Sequence, residues 1–261
     1  MQKPLPLSVC MISGAEAPRI GRALESVASW ASEIILVLND DVADGTDRIA
    51  VEHGAKVFRE PWKGHIAQKN SAAEKATQQW ILGLDADEVV STALREEIQA
   101  TLADEIRCER FAALSFPRRS WYCGRWINHG DWYPDRQTRL WRRGRAAWGG
   151  LDPHDKLLVN GPTGKLRADL YHYSNESIAR QIAKIAPYHA EFVKRLAASG
   201  GSAGFFELVV RPAWRFVRAY LIRQGFLDGW QGFYIAALTS FSTLTRYALV
   251  REAEQQSRAR P

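Results

Sequence analysis

The chain has 261 residues, with 35 Lys and Arg against 29 Asp and Glu, and therefore a formal net charge of +6. It is 46% hydrophobic, 25% charged and 11% aromatic, which excludes a disordered, collagen-like or low-complexity protein. The length is sufficient for one large domain, alone or with an appendage. The basic balance suggests an anionic partner: nucleic acid, anionic lipid or a phosphorylated substrate.

Cysteine spacing and hydropathy indicate the compartment. Cys10, Cys108 and Cys123 are widely spaced, which argues against a disulfide framework or a structural zinc site and favours a reducing environment. The N-terminus lacks the pattern of a secretory signal. The longest uncharged run, Gly229 to Thr245, is too short and too polar for a transmembrane helix. We therefore expect a protein of the cytoplasmic side, soluble or peripheral on a membrane.

The first third of the chain alternates short apolar runs with helical patterns. Hydrophobic periodicity predicts strands at Leu7–Ile12, Glu33–Asn39, 55–60 and Trp80–Glu88, and helices at Arg19–Trp30, 44–54 and His65–Gln79. This alternation indicates βαβ units and a mostly parallel sheet, whose ligands bind beyond the carboxyl ends of the strands. Residues 111–173 contain shorter strand patterns, and residues 176–252 are predicted to be helical.

Two acidic residues, Asp85 and Asp87, lie at the end of the fourth predicted strand. On an extended segment they would face opposite sides, but both can serve one site where the chain turns. One carboxylate can then meet a metal or a ribose while the other binds the metal, and a hard divalent cation can bridge to a diphosphate. The alternative is an acidic strand exit before a helix that begins with Ser91 as its N-cap.

Two further segments could contact the same ligand. The end of the second strand and the loop that follows it contain Asn39 and Asp41 and are rich in acceptors for a base or ribose. Asp44 and Thr46, further along, favour a turn and helix cap. Lys69 lies on the helix before the Asp85 strand and could approach phosphates. The alternative for Lys69 is a solvated helix lysine.

The order of these motifs, continued by WYPDRQTRLWRRG, a Gly-Gly…His-acid step and HYS, resembles the family 2 glycosyltransferases. More narrowly, it is similar to the bacterial lipopolysaccharide core β-1,4-glucosyltransferases that act on inner-core heptose. The resemblance covers about residues 7–250. It implies an α/β GT-A fold with a catalytic domain at 1–175, divided into a nucleotide-binding half (1–110) and an acceptor half (111–175). Residues 176–261 would form a helical extension.

The resemblance also implies an activity and its ligands. The activity is an inverting transfer of a sugar from a UDP-sugar donor, with UDP-glucose as the expected donor, to a glycolipid or lipopolysaccharide acceptor. The expected cofactor is Mg²⁺ or Mn²⁺. The family's metal-binding motif falls on Asp85 and Asp87. Together with Lys69, the donor-binding positions are Glu16, Asn39, Asp41, Asp85, Gln137 and Arg139. Asn39 replaces an Asp of the family and can still contact a base edge, and Arg139 suits a diphosphate.

An inverting transfer needs a general base for the acceptor hydroxyl, and a carboxylate within hydrogen-bond reach is suitable. The candidates in the acceptor half are Asp131, Asp135, Asp152 and Asp155. The His154-Asp155 pair matches the family's His-acid step, which favours Asp155, with Asp135 second. The alternative is that Asp155 pairs with one of the many Arg residues. His154 is a candidate metal ligand, whereas His172 is interpreted as structural.

The segment Phe205–Phe226 interleaves aromatic side chains with Arg211, Arg215, Arg218 and Arg223. This composition is typical of an interfacial helix beside anionic lipid. The alternatives are an amphipathic helix packed on the domain and a dimer contact. Because the implied acceptor is a lipid, we expect a peripheral protein on the inner face of the bacterial inner membrane.

The composition of residues 116–145 also allows a different class of function. Residues 116–145 contain eight Arg and four Trp against two Asp, a composition that could bind phosphates and stack bases. The segment has no recognisable nucleic-acid-binding motif, and we predict no nucleic-acid partner. A third possibility is a homologue that binds a sugar nucleotide without transferring it.

Overall fold

The computed structural model of the protein divides into two compact units. The first comprises Met1–Arg118 and Asp135–Tyr173, and the second comprises Arg119–Pro134 and Ser174–Pro261. The described residues are 5–151, 154–173, 178–183, 185–198 and 201–259. The second unit therefore takes in residues 119–134, which the sequence analysis assigns to the acceptor half.

The strands are β1 (Leu5–Ser13), β2 (Ala31–Asn39), β3 (Lys56–Glu60), β4 (Trp80–Gly83), β5 (Glu88–Val90), β6 (Ala113–Tyr122), β7 (Arg125–Trp126), β8 (Asp135–Arg142), β9 (Ala146–Leu151), β10 (His154–Val159), β11 (Thr163–Lys165) and β12 (Leu170–His172). The helices of the first unit are α1 (Ala17–Ala28), α2 (Thr46–Glu52), α3 (His65–Glu74), α4 (Thr92–Ala103) and α5 (Glu105–Glu109).

The central sheet runs in the order β3-β2-β1-β4-β8-β6-β12-β5, with β11 paired to β6. It is parallel from β3 to β4, whereas β8 pairs antiparallel with both β4 and β6. β9 and β10 form a separate antiparallel hairpin. The carboxyl ends of β1, β2 and β4 meet at one edge of the sheet, the position at which α/β sheets bind ligands.

The continuous apolar run of β2 reflects burial of the sheet on both faces. Leu36 packs in one apolar cluster with Leu24 of α1, while the next residue, Val37, packs in a second cluster with Ala72 of α3. Successive residues of a strand point to opposite faces, so helices on both sides require apolar residues at every position.

β4 is shorter than predicted. The hydrophobic pattern predicts a strand to Glu88, but β4 ends at Gly83. A turn closed by a hydrogen bond from the Glu88 N–H to the Asp85 carbonyl (3.0 Å) precedes β5. Gly83 is required because a Cβ atom there would lie 2.9 Å from Cζ2 of Trp148. The prediction of α3 to Gln79 is also wrong, since α3 ends at Glu74. Ser91 is confirmed as an N-cap, accepting a hydrogen bond from a backbone N–H of α4.

The second unit contains the end of β6, β7 and a set of helices. These are the 3₁₀ turns Gly130–Trp132 and Gly225–Asp228, the π-helical turns Phe206–Val210 and Arg218–Ile222, and the helices α6 (Ile178–Ala183), α7 (Ile185–Ala198), α8 (Arg211–Val217) and α9 (Gly229–Ala259). The carboxylate of Asp228 is buried and accepts hydrogen bonds from the backbone N–H groups of Asn128 (2.9 Å) and His129 (2.7 Å).

The segment Phe205–Phe226 is largely helical, as predicted. Three of its four arginines converge on Asp131. Arg218 Nη1 lies 2.6 Å from its Oδ1, and Arg223 and Arg215 lie at 3.5 and 3.6 Å. Asp131, a candidate base in the sequence analysis, is therefore part of an ion-pair cluster of the second unit. Within the described residues, no helix combines the length and apolar character needed to cross a membrane.

Candidate active site

A cavity of about 570 Å³ opens where β1, β2 and β4 end. It brings together seven of the predicted site residues: Glu16, Asn39, Asp41, Lys69, Asp85, Asp87 and Asp155. Five of these seven are carboxylates, and we call this the acidic cavity. An oxygen-rich pocket at the carboxyl edge of the sheet is suited to a divalent cation and a polyhydroxylated ligand.

Both oxygens of the Asp85 carboxylate are held by cations of the first unit. Oδ2 accepts a hydrogen bond from Arg139 Nη2 at 2.8 Å, and Oδ1 lies 3.2 Å from Lys69 Nζ. Burial opposes ionisation of Asp85, but the charges of Arg139 and Lys69 outweigh it and hold its pKa well below the usual range. Asp85 is thus fixed in orientation, with its charge already compensated by protein side chains.

Lys69 also reaches Asp155, whose Oδ2 accepts a hydrogen bond from Lys69 Nζ at 2.9 Å. The same ammonium lies 4.6 Å from the centre of the Trp148 ring, and its side chain is only 11% exposed. The interpretation of Lys69 as a solvated helix lysine is therefore wrong, and Asp155 pairs with a lysine rather than with an arginine. The side-chain amide of Asn70 bonds both backbone groups of Trp148 (2.8 and 2.9 Å), which fixes α3 against β9.

Glu88 organises the turn that carries Asp85 and was missed by the sequence analysis. It is fully buried, its Oε1 lies 3.1 Å from Arg118 Nη1 and 3.6 Å from Arg139 Nη2, and its Oε2 accepts the Asp85 N–H at 3.1 Å. Burial opposes the charge of Arg118, but Glu88 and Asp135 raise the pKa of this guanidinium. The only indication in the sequence was the position of Glu88 directly after the two aspartates.

Asp135 has a structural environment. Its Oδ2 lies 2.7 Å from Arg118 Nη2, and its Oδ1 accepts a hydrogen bond from Gln137 Nε2 at 2.7 Å. Among the described residues that line the acidic cavity, Asp155 is the only one of the four base candidates. Asp152 lies outside the described residues.

Gln137 and Arg139 line a second cavity, of about 630 Å³, which shares Lys69, Asp85 and Asp155 with the first. Both residues are donor-binding positions by the family resemblance. The guanidinium of Arg139 lies 5.2 Å from the centre of the Trp148 ring.

Arginines of segment 116–145 are tied to groups inside the first unit. Besides Arg118 and Arg139, Arg136 Nη1 donates to the carbonyls of Ser115 and Leu166, and Arg142 Nε donates to the carbonyl of Phe111. These four guanidinium groups therefore have partners within the unit, and the segment is not a simple exposed basic surface.

Asp87 and His172 also contact each other at the acidic cavity. Oδ2 of Asp87 lies 3.3 Å from Nε2 of His172, and both residues line the cavity. His172, interpreted from the sequence as structural, therefore also lies at the cavity. The side chain of His154, the predicted metal ligand, lies outside the described residues. Among the side chains that the structure describes, no group of three His, Cys, Asp or Glu is arranged to hold a metal ion.

The residues at the ends of β1 and β2 are connected through Asp44. Its carboxylate accepts hydrogen bonds from the N–H groups of Ala17 (3.1 Å) and Thr46 (3.0 Å). The N-cap of α2 is Gly45, without a capping side chain. Thr46 Oγ1 accepts the Glu16 N–H at 3.0 Å, so Asp44 and Thr46 hold the two loops together. Glu16 is paired with Arg19 through two hydrogen bonds of 2.7 Å.

Asn39 has an unused acceptor in the acidic cavity. Its Oδ1 is buried and has no hydrogen-bond partner among the described residues. A buried carbonyl without a donor is unfavourable unless a ligand supplies one. Trp62 and His65, which the sequence analysis also missed, line the same cavity and contact each other edge to face, with ring centres 4.8 Å apart.

Comparison with known proteins identifies this arrangement. The glycosyl transferase family 2 domain matches residues 8–155, more than half of the chain. The chain belongs to glycosyl transferase family 2. An uncharacterized glycosyltransferase of Rickettsia typhi is 31% identical over 97% of this chain and 89% of its own length. A lipopolysaccharide core biosynthesis glycosyltransferase, LpsC of Rhizobium meliloti, is 29% identical over 94% of both chains.

Among solved structures, residues 1–349 of S. aureus TarS in complex with UDP-GlcNAc superpose with a TM-score of 0.52. The match covers 96% of this chain and 92% of the TarS chain, at 16% identity. The family 2 assignment and the GT-A fold predicted from the sequence are therefore confirmed. The protein is a family 2 glycosyltransferase with an α/β catalytic unit and a C-terminal helix.

Proposed function

We propose that this family 2 glycosyltransferase transfers glucose, with inversion, from UDP-glucose to a lipopolysaccharide inner-core acceptor. The observation that carries the proposal is the acidic cavity itself, where Asp85, Asp87 and Asp155 meet at the carboxyl edge of the sheet. Support for the ligands comes from two similar proteins: LpsC is named for lipopolysaccharide core biosynthesis, and TarS binds UDP-GlcNAc.

The nucleoside lies at the ends of β1 and β2. The unpartnered Oδ1 of Asn39 accepts the N–H of the base. Asp41 is available to the ribose hydroxyls, and Trp62, which is 48% exposed, supplies an aromatic surface at the same cavity. Asp85, held by Arg139 and Lys69, accepts a hydrogen bond from a ribose or sugar hydroxyl.

Asp87 and His172 are suited to hold a divalent cation. Mg²⁺ and Mn²⁺ are typically held by one or two protein ligands together with substrate phosphates and water. Asp87 and Nε2 of His172 face each other at 3.3 Å in the cavity, and they would hold the ion. When bound, the ion supplies charge neutralisation for the diphosphate leaving group.

Asp155 takes the proton from the acceptor hydroxyl. The hydroxyl oxygen attacks the anomeric carbon of the donor sugar, the bond from that carbon to the diphosphate oxygen breaks, and UDP leaves with the electron pair. Lys69 occupies Oδ2 of Asp155, and Oδ1 receives the proton. Lys69 joins Asp155 to Asp85, so the base and the donor-binding carboxylate keep a fixed relative position.

The proposal is tested by thermal unfolding with UDP, with and without Mn²⁺. UDP should raise the unfolding temperature when metal is present and much less in EDTA. Asp87→Ala should lose the metal-dependent part of the shift. Glu52→Ala, which removes an acid whose side chain is 63% exposed, should keep it. The absence of any UDP effect with or without metal would contradict the proposal.

We also propose that the second unit binds the anionic inner face of the bacterial inner membrane. Segment Phe205–Phe226 exposes a group of large apolar side chains: Phe205, Phe206, Val209, Trp214, Leu221 and Ile222. Arg211, half exposed, lies on the same segment. Exposed aromatic residues with flanking cations favour insertion at the headgroup level of an anionic bilayer.

The membrane proposal predicts co-sedimentation with vesicles of phosphatidylglycerol and phosphatidylethanolamine. Combined Trp214→Ser, Leu221→Ser and Ile222→Ser should abolish it, because the three apolar side chains are 54%, 54% and 59% exposed. Ile106→Ser, at a 74% exposed position of the first unit, is the matched control and should sediment as the unmodified protein does. Full sedimentation of the triple variant would overturn the membrane assignment.

A further inference from the structure

The second cavity, of about 630 Å³, differs from the acidic cavity in its charge. Five cations line it, Lys69, Arg118, Arg136, Arg139 and Lys156, against the two shared carboxylates Asp85 and Asp155. We call it the basic cavity. A pocket with this surplus of positive charge attracts anions.

Part of that charge has no acidic partner among the residues that the structure describes. Arg136 is held by two backbone carbonyls, which fix its position without neutralising it. Lys156 is exposed and makes no hydrogen bond or ion pair with the described residues. In contrast, Arg118 is compensated by Glu88 and Asp135.

Arg139 adds a second, independent observation. It is 6% exposed, and only Nη2 bonds a carboxylate, that of Asp85. Its Nε and Nη1 groups are buried and have no hydrogen-bond partner among the described residues. Buried N–H donors without an acceptor are costly, and Arg139 is one of the residues that line the basic cavity.

We propose that the basic cavity binds a phosphate group carried by the acceptor sugar. This inference rests on the proposed function, because it assigns the acidic cavity to the donor and Asp155, at the junction of the two cavities, to the acceptor hydroxyl. A phosphate held by Arg136, Arg139 and Lys156 would anchor the acceptor with its hydroxyl near Asp155. The acceptor class is therefore a phosphorylated glycan rather than a neutral one.

The competing source of a phosphate is the donor diphosphate, to which the sequence resemblance assigns Gln137 and Arg139. The two sources predict different competition. A donor subsite would be blocked by UDP, whereas an acceptor subsite would stay available when UDP fills the acidic cavity.

The test measures binding of mannose 6-phosphate by isothermal titration calorimetry, with and without saturating UDP and Mg²⁺, and with mannose as the neutral probe. We expect mannose 6-phosphate to bind in both conditions and mannose to bind at least tenfold more weakly. Lys156→Glu should weaken the phosphosugar about tenfold, by reversing one unpaired charge. Lys165→Glu, the same change at an exposed position outside the cavity, should change it less than twofold.

The outcomes separate this inference from the proposed function. Displacement of mannose 6-phosphate by UDP, equal binding of mannose, or an unaltered affinity in Lys156→Glu would each overturn the acceptor-phosphate site. Lys156-dependent phosphosugar binding in a protein that neither binds UDP nor cleaves UDP-sugars would support the basic cavity and refute the proposed donor.

Discussion

Lys69 Nζ lies 2.9 Å from Oδ2 of Asp155, although 86 positions separate the two residues in the chain. The same ammonium lies 3.2 Å from Oδ1 of Asp85. A single cation of α3 thus joins the carboxylate at the end of β4 to the carboxylate of the β9-β10 hairpin. This junction lies on the lining of both cavities, which is where a sugar would pass from donor to acceptor.

Replacing Asp155 tests the assignment of the base. Asp155→Asn should lower kcat by about 10²–10⁴-fold, the usual contribution of a positioned base, while UDP binding is retained. Asp135→Asn, at the second candidate, should lower kcat far less, because Asp135 pairs with Arg118 and Gln137 and is not part of the acidic cavity lining. A larger loss in Asp135→Asn than in Asp155→Asn, in single-turnover assays, would move the base to Asp135.

Removing the cation at the junction should affect both stability and turnover. Lys69→Met leaves Asp85 and Asp155 as neighbouring carboxylates without their shared partner, and breaking a buried pair in this way costs about 3–5 kcal/mol. Since the Lys69 side chain is 11% exposed, we expect a value near the lower limit. Urea unfolding measures the change. Lys69→Arg should retain most of the stability. A Lys69→Met protein as stable as the unmodified one would show that the contacts of Lys69 with Asp85 and Asp155 do not stabilise the fold.

Glu88→Gln tests the support of the Asp85 turn. The substitution keeps the shape of the side chain but leaves Arg118 and Arg139 with less negative charge in a buried site. We expect a loss of about 3 kcal/mol in the free energy of unfolding and a raised KM for the donor, because the Asp85 N–H loses its carboxylate acceptor. Glu52→Gln, at an exposed position, is the matched control. An unchanged donor KM in a folded Glu88→Gln protein would show that Glu88 does not support donor binding through the Asp85 turn.

The buried carboxyl of Glu33 should make the stability of the fold sensitive to acid. Burial opposes its ionisation, but hydrogen bonds from the Thr77 N–H, Lys56 and Ser8 lower its pKa from 4.5 to about 2. A carboxyl with a lowered native pKa stabilises the fold above pH 4.5 and loses that contribution as the pH falls towards 2. The full contribution is about 3 kcal/mol.

The measurement is urea unfolding of the unmodified protein and of Glu33→Gln between pH 7 and pH 2.5. The difference in unfolding free energy should be constant above pH 4.5 and should shrink below it. Glu60, whose pKa is lowered to about 2 by Lys63 and Lys75, is present in both proteins, so its contribution cancels. A difference that does not depend on pH would contradict the assignment.

Much of the catalytic unit follows from local sequence patterns. The buried runs of β1, β2 and β4 are recognisable because both faces of the sheet are covered, and acids directly after such runs must lie at the carboxyl edge. Asp85, Asp87 and Asn39 could therefore be placed together without a structure. The end of β4 at Gly83 could not, because it depends on the close approach of Trp148 from the distant strand β9.

The ion pairs could not be predicted from the sequence, for the same reason. Glu88 is buried against Arg118 and Arg139, which lie on β6 and β8, and Asp131 attracts Arg215 and Arg218 from α8 and the turn after it. Composition counts these charges but does not reveal which of them neutralise one another. The excess of arginine in segment 116–145 thus suggested a nucleic-acid surface, although several of these arginines bind carboxylates and carbonyls of the first unit.

The central claim is that the acidic cavity turns over a UDP-sugar, and donor cleavage tests it most directly. Purified protein should release UDP from UDP-glucose in the presence of Mg²⁺ or Mn²⁺, faster than from GDP-linked sugars, and the release should fall to background in Asp87→Ala. Failure to release UDP from any UDP-sugar, with metal and a lipopolysaccharide core acceptor supplied, would contradict the account, as would full release by Asp87→Ala.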